Sequence, residues 1–246
     1  MFIDAHSHID LLKNYKQAIQ NAKEKNIKIL TAGIDIKSNR KLLELKKQNL
    51  EIEICLGIYP TETLKLSEKE IDSEIDFIKK NKNKIVAIGE IGLDLKENFP
   101  ETLEKQKENL SKFIELAKEL NKPVIIHSRK AEKECIEFLE KFNYKKIVMH
   151  CFSGNFKLVK KILENNWILT IPTSVKNSQH FQKVIEVAPI KNLLCETDSP
   201  YLHPNKEFPN EPKNVIESYK KISEIKKIPL KEVEKTLEEN YANFFK

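Results

Sequence analysis

Lys122-Pro123-Val124-Ile125-Ile126-His127-Ser128-Arg129 is the stretch that decides the fold. A proline opens it, three β-branched residues follow without a break, and histidine, serine and arginine close it. A short uninterrupted apolar run suits a strand buried on both faces, as in a parallel sheet covered by helices. Behind it, residues 131–142 form an amphipathic stretch that reads as a helix. The same unit recurs outward in both directions. Apolar runs occupy 2–5, 27–32, 52–56, 85–88, 124–126, 147–149, 167–171 and 193–195. Helical patterns occupy about 15–25, 38–48, 68–80, 103–120, 131–142, 156–164, 181–187, 212–226 and 230–243. Pro212 suits a helix first turn, and Pro229 separates the last two helices. Eight strand–helix alternations with right-handed crossovers give a closed (β/α)8 barrel or a doubly wound open sheet, and spacing alone leaves both open. A length of 246 residues, without an internal repeat or long linker, reads as one domain over 1–246.

Composition narrows the classes of function. With 40% hydrophobic and 33% charged residues, and no apolar run near the ~20 residues a bilayer needs, the chain reads as soluble and non-membrane. Met1-Phe2-Ile3-Asp4 begins without a basic segment and apolar stretch, so no signal peptide is read and a cytoplasmic protein is expected. Cys55, Cys135, Cys151 and Cys195 form no CxxC pair and are expected as reduced packing thiols. The formal charge of +6 admits a phosphate-rich partner, but Arg40 and Arg129 are the only arginines. The lysines alternate with glutamates along helical patterns, which reads mainly as solvated helix faces.

The chemistry lies where the apolar runs end. The first ends in His6-Ser7-His8, the fourth in Gly89-Glu90-Ile91-Gly92-Leu93-Asp94 and the fifth in His127-Ser128-Arg129. The sixth ends in His150-Cys151-Phe152-Ser153-Gly154 and the eighth in Glu196-Thr197-Asp198-Ser199-Pro200. Of six histidines, His6, His8, His127 and His150 fall at these ends. In a barrel all strand ends share one rim, so these groups converge. Convergent imidazoles and carboxylates make a site for divalent cations. Any one of them alone is as well explained by a helix cap, a salt bridge or a core histidine; their conjunction favours metal. Cys151 is assigned to packing, His180 to a helix surface, and His203, in the loop after the eighth run, to substrate contact.

The chain resembles the TatD family of metal-dependent hydrolases, usually described as deoxyribonucleases, in the amidohydrolase-like barrel group. Asp4-Ala5-His6-Ser7-His8, Ile88-Gly89-Glu90-Ile91-Gly92-Leu93-Asp94 and Lys122–Arg129 carry the resemblance. So do His150-Cys151-Phe152-Ser153-Gly154, Glu196-Thr197-Asp198-Ser199-Pro200-Tyr201-Leu202 and Asn210-Glu211-Pro212, all in the family's order across essentially the whole chain. The resemblance implies a closed TIM-type barrel with its metal site at the C-terminal rim of the strands. It implies two divalent ions (Zn, Mg or Mn): one held by His6, His8, Glu90 and Asp198, the other by Glu90, His127 and His150, with Glu90 bridging. Two positions depart from the family pattern. Tyr59 stands where a histidine usually precedes the proline after the third run, and Phe208-Pro209 precede Asn210 where a basic residue is common.

The implied activity is hydrolysis of DNA phosphodiester bonds, on single strands or an end, by a water activated between two metals. Asp198 would accept the water's proton and Glu90 would set the spacing of the ions. Arg129 is expected either to grip a phosphate or to pair with the following helix. Ser153 and the Gly154 amide are expected to donate to phosphate, and Tyr59 to touch substrate. The same ions would serve a carbonyl substrate: a cyclic amide, an ester or a D-aminoacyl-tRNA. A non-catalytic metal-binding protein is the third reading. No obligate protein partner is evident in the sequence.

Overall fold

The computed structural model describes residues 1–48, 51–96 and 100–245. Eight parallel strands follow one another in chain order: β1 (Phe2–Asp4), β2 (Ile27–Ala32), β3 (Ile52–Leu56), β4 (Ala87–Asp94), β5 (Val124–Arg129), β6 (Ile147–Met149), β7 (Ile168–Pro172) and β8 (Leu193–Glu196). The ring closes between β8 and β1, where the Ala5 amide donates to the Cys195 carbonyl at 2.8 Å and the Asp198 amide to the His6 carbonyl at 3.0 Å. The chain is therefore a barrel, not an open sheet. Helices α1 (Tyr15–Glu24), α2 (Ile36–Gln48), α3 (Pro60–Thr63), α4 (Glu68–Lys80), α5 (Leu103–Leu120), α6 (Glu132–Glu140), α7 (Phe156–Glu164), α8 (Gln179–Val187), α9 (Ile216–Lys226) and α10 (Leu230–Phe244) surround it. None of the described helices is long and apolar enough to cross a membrane.

Each strand alternates between two cores. Ile3, Leu30, Cys55, Ala87, Ile125, Val148, Ile168 and Leu194 form a cluster inside the barrel. Their neighbours, such as Ile29, Ile54, Ile126, Met149 and Leu193, face outward into the layer under the helices. Both faces are apolar, which is why the strands read as continuous runs rather than as alternations.

This alternation positions the site. Two residues beyond the inward Ile125 stands His127, beyond Val148 stands His150, and beyond Leu194 stands Glu196. The apolar column of the barrel therefore continues upward into a polar layer.

Strand β4 departs from the sequence reading. The apolar run was read as ending at Ile88. Instead the strand continues to Asp94. Its pairing with β5 shifts: Ile88 faces Val124, and Ile91 faces Ile126. Three steps on β4 match two on β5, so one extra residue forms a bulge, a device that re-aims side chains near active sites. Gly92 then faces His127, and Asp94 faces Arg129. A Cβ on Gly92 (φ +149°) would lie 2.0 Å from the His127 carbonyl oxygen, so only glycine admits this approach. The last helices also differ slightly from expectation. Pro212–Val215 is a 3-10 turn that leads into α9.

Candidate metal centre

Glu90, only 2% exposed, stands at the centre of the rim. Its Oε2 lies 3.4 Å from His6 Nε2 and 3.2 Å from His8 Nε2. Those two nitrogens are 3.2 Å apart, and Asp198 Oδ1 lies 3.6 Å from His6 Nε2 and 3.5 Å from His8 Nε2. Four donors around one tetrahedral ion, each about 2.0–2.2 Å from it, lie about 3.3–3.6 Å from one another. The distances here, 3.2–3.6 Å, lie close to that figure. The other oxygen of Glu90, Oε1, lies 2.9 Å from His127 Nδ1 and 3.1 Å from His150 Nε2. Those two nitrogens are 3.2 Å apart. This second group offers three protein donors, the number that would leave an ion a coordination position for water or substrate. The two oxygens of Glu90 thus face the two groups of donors.

The histidines are aimed by what their far nitrogens touch. His8 Nδ1 lies 3.0 Å from the Ala32 carbonyl, an arrangement that keeps the proton on Nδ1 and the lone pair of Nε2 toward Glu90. His127 is turned the other way. Its Nε2 lies 3.2 Å from Asp94 Oδ2, leaving Nδ1 for the second site. His150 Nδ1 faces Glu196 Oε2 at 3.5 Å. Asp198 follows β8 in a left-handed conformation, φ +52°. Such a conformation is uncommon outside glycine and persists where surrounding contacts impose it. Here Thr197 donates its amide (2.8 Å) and hydroxyl (2.6 Å) to the buried Asp4, and Asn210 Nδ2 donates to the Thr197 carbonyl at 2.9 Å.

The charges favour a cation. Burial alone would push the Glu90 carboxyl up. The charge of His150 and bonds from His127, His150 and His6 outweigh this and hold it well below the usual range. Asp198 is likewise held low against burial by its bond to His8 and by the His150 charge. Burial and the neighbouring His150 depress His6. His8, against the pull of burial, is pushed up to about 10 by Asp198 and Glu90. Without a cation, the imidazoles compete to share protons around two anions; a divalent ion at each site would replace those protons.

Asp94 and Glu196 carry parts of this arrangement that the sequence reading left unassigned. Asp94 Oδ2 accepts from the Tyr59 hydroxyl at 2.6 Å and from Arg129 Nε and Nη2 at 2.9 and 2.6 Å. The Tyr59 oxygen lies 3.0 Å from His127 Nε2. Arg129 thus pairs with Asp94 on β4. Burial opposes ionisation of Asp94, and bonds from His127, Arg129 and Tyr59 reverse that, holding it below the usual carboxylate range. Both residues were detectable in principle: Glu196 follows the inward phase of β8, and Asp94 shares the face of Arg129 once the bulge is known.

A cleft of about 500 Å³ opens over the centre, lined by His8, Leu11, Ile34, Tyr59, Thr61, Glu62, Glu90, His127, Arg129, His150, Asp198, Tyr201 and Leu202. Tyr59 and Arg129 stand in its wall. Ser153 and His203 are not among its lining residues. The Ser153 hydroxyl donates to Glu132 Oε1 at 3.2 Å, and His203 Nε2 lies 3.9 Å from Glu207. His180 lies on α8, half-buried, 3.1 Å from the Phe152 carbonyl, and burial holds the Cys151 thiol well above its usual range.

The chain resembles known proteins along its whole length. It is 37% identical over 248 residues to an uncharacterized metal-dependent hydrolase of Methanocaldococcus jannaschii, covering 100% of this chain and 97% of that one. It is 30% identical over 257 residues to Deoxyribonuclease TATDN3 of Homo sapiens, covering 99% and 94%. The crystal structure of YJJV, a TatD homolog from Escherichia coli, superposes with a TM-score of 0.92 at 26% identity, covering 99% and 97%. The profile of the TatD related DNase family matches residues 3–246. The chain belongs to that family of metal-dependent hydrolases.

Proposed function

We propose that this protein is a phosphodiesterase acting on DNA, on single strands or at an end, with His6, His8, Glu90 and Asp198 holding one divalent ion and Glu90, His127 and His150 a second. The observation that carries the reading is the gathering of donor atoms from His6, His8, Glu90, His127, His150 and Asp198 beneath one open cleft, with two overlapping clusters, one of His6, His8 and Asp198 and one of His6, Glu90 and His150. When bound, two such ions would supply an activated water and neutralise charge at the reacting phosphorus. Zinc suits the histidine-rich donor set; the carboxylates also admit magnesium or manganese.

The chain's own groups then have distinct tasks. Glu90 fixes the spacing of the sites through its two oxygens. Asp198 is a carboxylate kept ionised in the lining of the cleft, so it is placed to take a proton from a water there. Tyr59 keeps its proton, because burial and Asp94 push its hydroxyl far above the usual range. It therefore acts as a donor and not as a base. Arg129 presents its guanidinium at the cleft wall with Asp94 behind it, a geometry that suits an incoming phosphate.

The name of the human relative, Deoxyribonuclease TATDN3, supports DNA as the substrate. The decisive test is cleavage of 5′-labelled single-stranded DNA by metal-stripped protein resupplied with magnesium, manganese or zinc, beside Asp198→Asn. A metal-dependent ladder that disappears in the variant is expected. Intact DNA from folded, metal-bound protein would contradict the reading and move the substrate to a carbonyl compound.

A further inference from the structure

Five large apolar side chains are exposed among the described residues, and three of them meet the mouth of the metal cleft. Tyr201 is 51% exposed, Phe208 72% and Leu11 41%. Leu11 and Tyr201 line the cleft itself. The Phe208 ring packs beside Tyr201, with centroids 6.4 Å apart and planes at 44°. Exposed aromatic surface disfavours the free protein, so its gathering at one mouth calls for an occupant.

The loop that presents these rings is tied down. The Tyr201 amide donates to the carbonyl of the metal-site residue Asp198 at 2.8 Å. Across the base of the loop the Asn210 amide donates to the Pro200 carbonyl at 2.8 Å, bringing the arms that carry Tyr201 and Phe208 together. Thr173 donates to the Leu202 carbonyl and Asn177 to the Pro204 carbonyl, each at 2.7 Å. Both rings therefore stand on a tied-down loop, Tyr201 three residues and Phe208 ten residues beyond Asp198.

Resting on the phosphodiesterase reading above, we infer that Tyr201 and Phe208 form a stacking step for one nucleobase of the substrate strand, next to the phosphate at the metal centre. The tilt and contact of the rings leave no space for a base between them, so the base covers their outer face. A nucleotide strand suits the mouth because it brings an anion to the metals and a planar apolar group to a neighbouring wall. A resident protein covering the same rings would obstruct the cleft. Base–aromatic stacking tolerates any sequence, so the step grips the strand without selecting it.

The test uses the metal-loaded full chain and a phosphorothioate oligonucleotide carrying 2-aminopurine, whose fluorescence is quenched by stacking. The wild type is expected to quench it. Phe208→Ala and Tyr201→Ala should each lose most of the quenching and weaken binding about 5- to 100-fold, while Phe208→Trp retains both. On cleavable DNA, KM should rise by a similar factor with kcat nearly unchanged. An abasic nucleotide at the stacked position should reproduce this loss in the wild type and add nothing in Phe208→Ala. If the wild type cleaves DNA and the alanine variants quench and bind as it does, the stacking step is wrong and the phosphodiesterase reading stands. If the wild type cleaves no DNA with any metal, both fall together.

Discussion

The two ends of the barrel carry similar polar residues and treat them in opposite ways. At the amino-terminal end Lys28 on β2 pairs with Glu53 on β3 at 3.2 Å, and the Tyr241 hydroxyl of α10 donates to the same glutamate. The ring of Phe245 stacks on Tyr241 at 4.4 Å and 15° and caps that end. Donor meets acceptor, cation meets anion, and the chain satisfies itself. At the carboxyl-terminal end, four imidazoles crowd around Glu90 and Asp198. Their nitrogen and oxygen donors face one another at 2.9–3.6 Å. Lone pairs gathered in this way suit a cation from outside the chain, and the other end has no such gathering among the described residues.

Glu90→Gln should break this contrast most severely. It removes the shared carboxylate, so both ions should be lost by elemental analysis and DNA cleavage should fall to background, with the barrel intact by circular dichroism. Retention of two ions would show that the sites do not share Glu90. His127→Ala should leave one ion, with most turnover gone. An unchanged rate would break the two-site account.

Next come the groups behind the ligands. Asp94→Asn and Glu196→Gln should each weaken metal binding about 10- to 100-fold, measured by competition with a chelating dye, because each orients a histidine. An effect on turnover with no effect on metal affinity would assign Asp94 to substrate instead. At the opposite end Glu53→Gln is expected to cost about 1 kcal/mol of stability or less, since the pair is partly exposed, and to leave metal affinity unchanged. A loss of metal from that variant would mean that the two ends are coupled through the barrel.

Acidity should separate the ends as well. His8, His127 and His150 have raised affinities for protons in the metal-free centre, each against the pull of burial: Asp198 and Glu90 raise His8, Asp94 and Glu90 raise His127, and Glu90 and Glu196 raise His150. Metal must displace those protons. Uptake should therefore strengthen as pH rises through the raised values and weaken below them, with protons released on binding. Calorimetry in buffers of different ionisation enthalpy measures that release; binding with no proton release would contradict the protonated centre.

Much of this was legible in the sequence because it depends on local pattern. Continuous apolar runs between amphipathic stretches gave eight strands, and histidines at the ends of those runs gave the rim. Closure of the ring was not legible from periodicity, because the β8–β1 bonds join residues nearly the whole chain apart; the family resemblance supplied it. The bulge in β4 was hidden for a different reason. Gly89 and Gly92 carry the same residue type whether they make a turn or admit a close strand, and only the packing of Gly92 against the His127 carbonyl decides between them. Asp94 was missed with it. Ser153 and His203 were expected at the substrate because they lie near rim residues in sequence, yet each has its acid partner outside the cleft.

The central claim is that one glutamate joins two metal sites. Anomalous diffraction from crystals of the zinc-loaded protein tests it most directly. Two peaks are predicted, one within bonding distance of His6, His8 and Asp198, the other of His127 and His150, with one oxygen of Glu90 on each. A single peak, or two peaks of which only one touches Glu90, would contradict it.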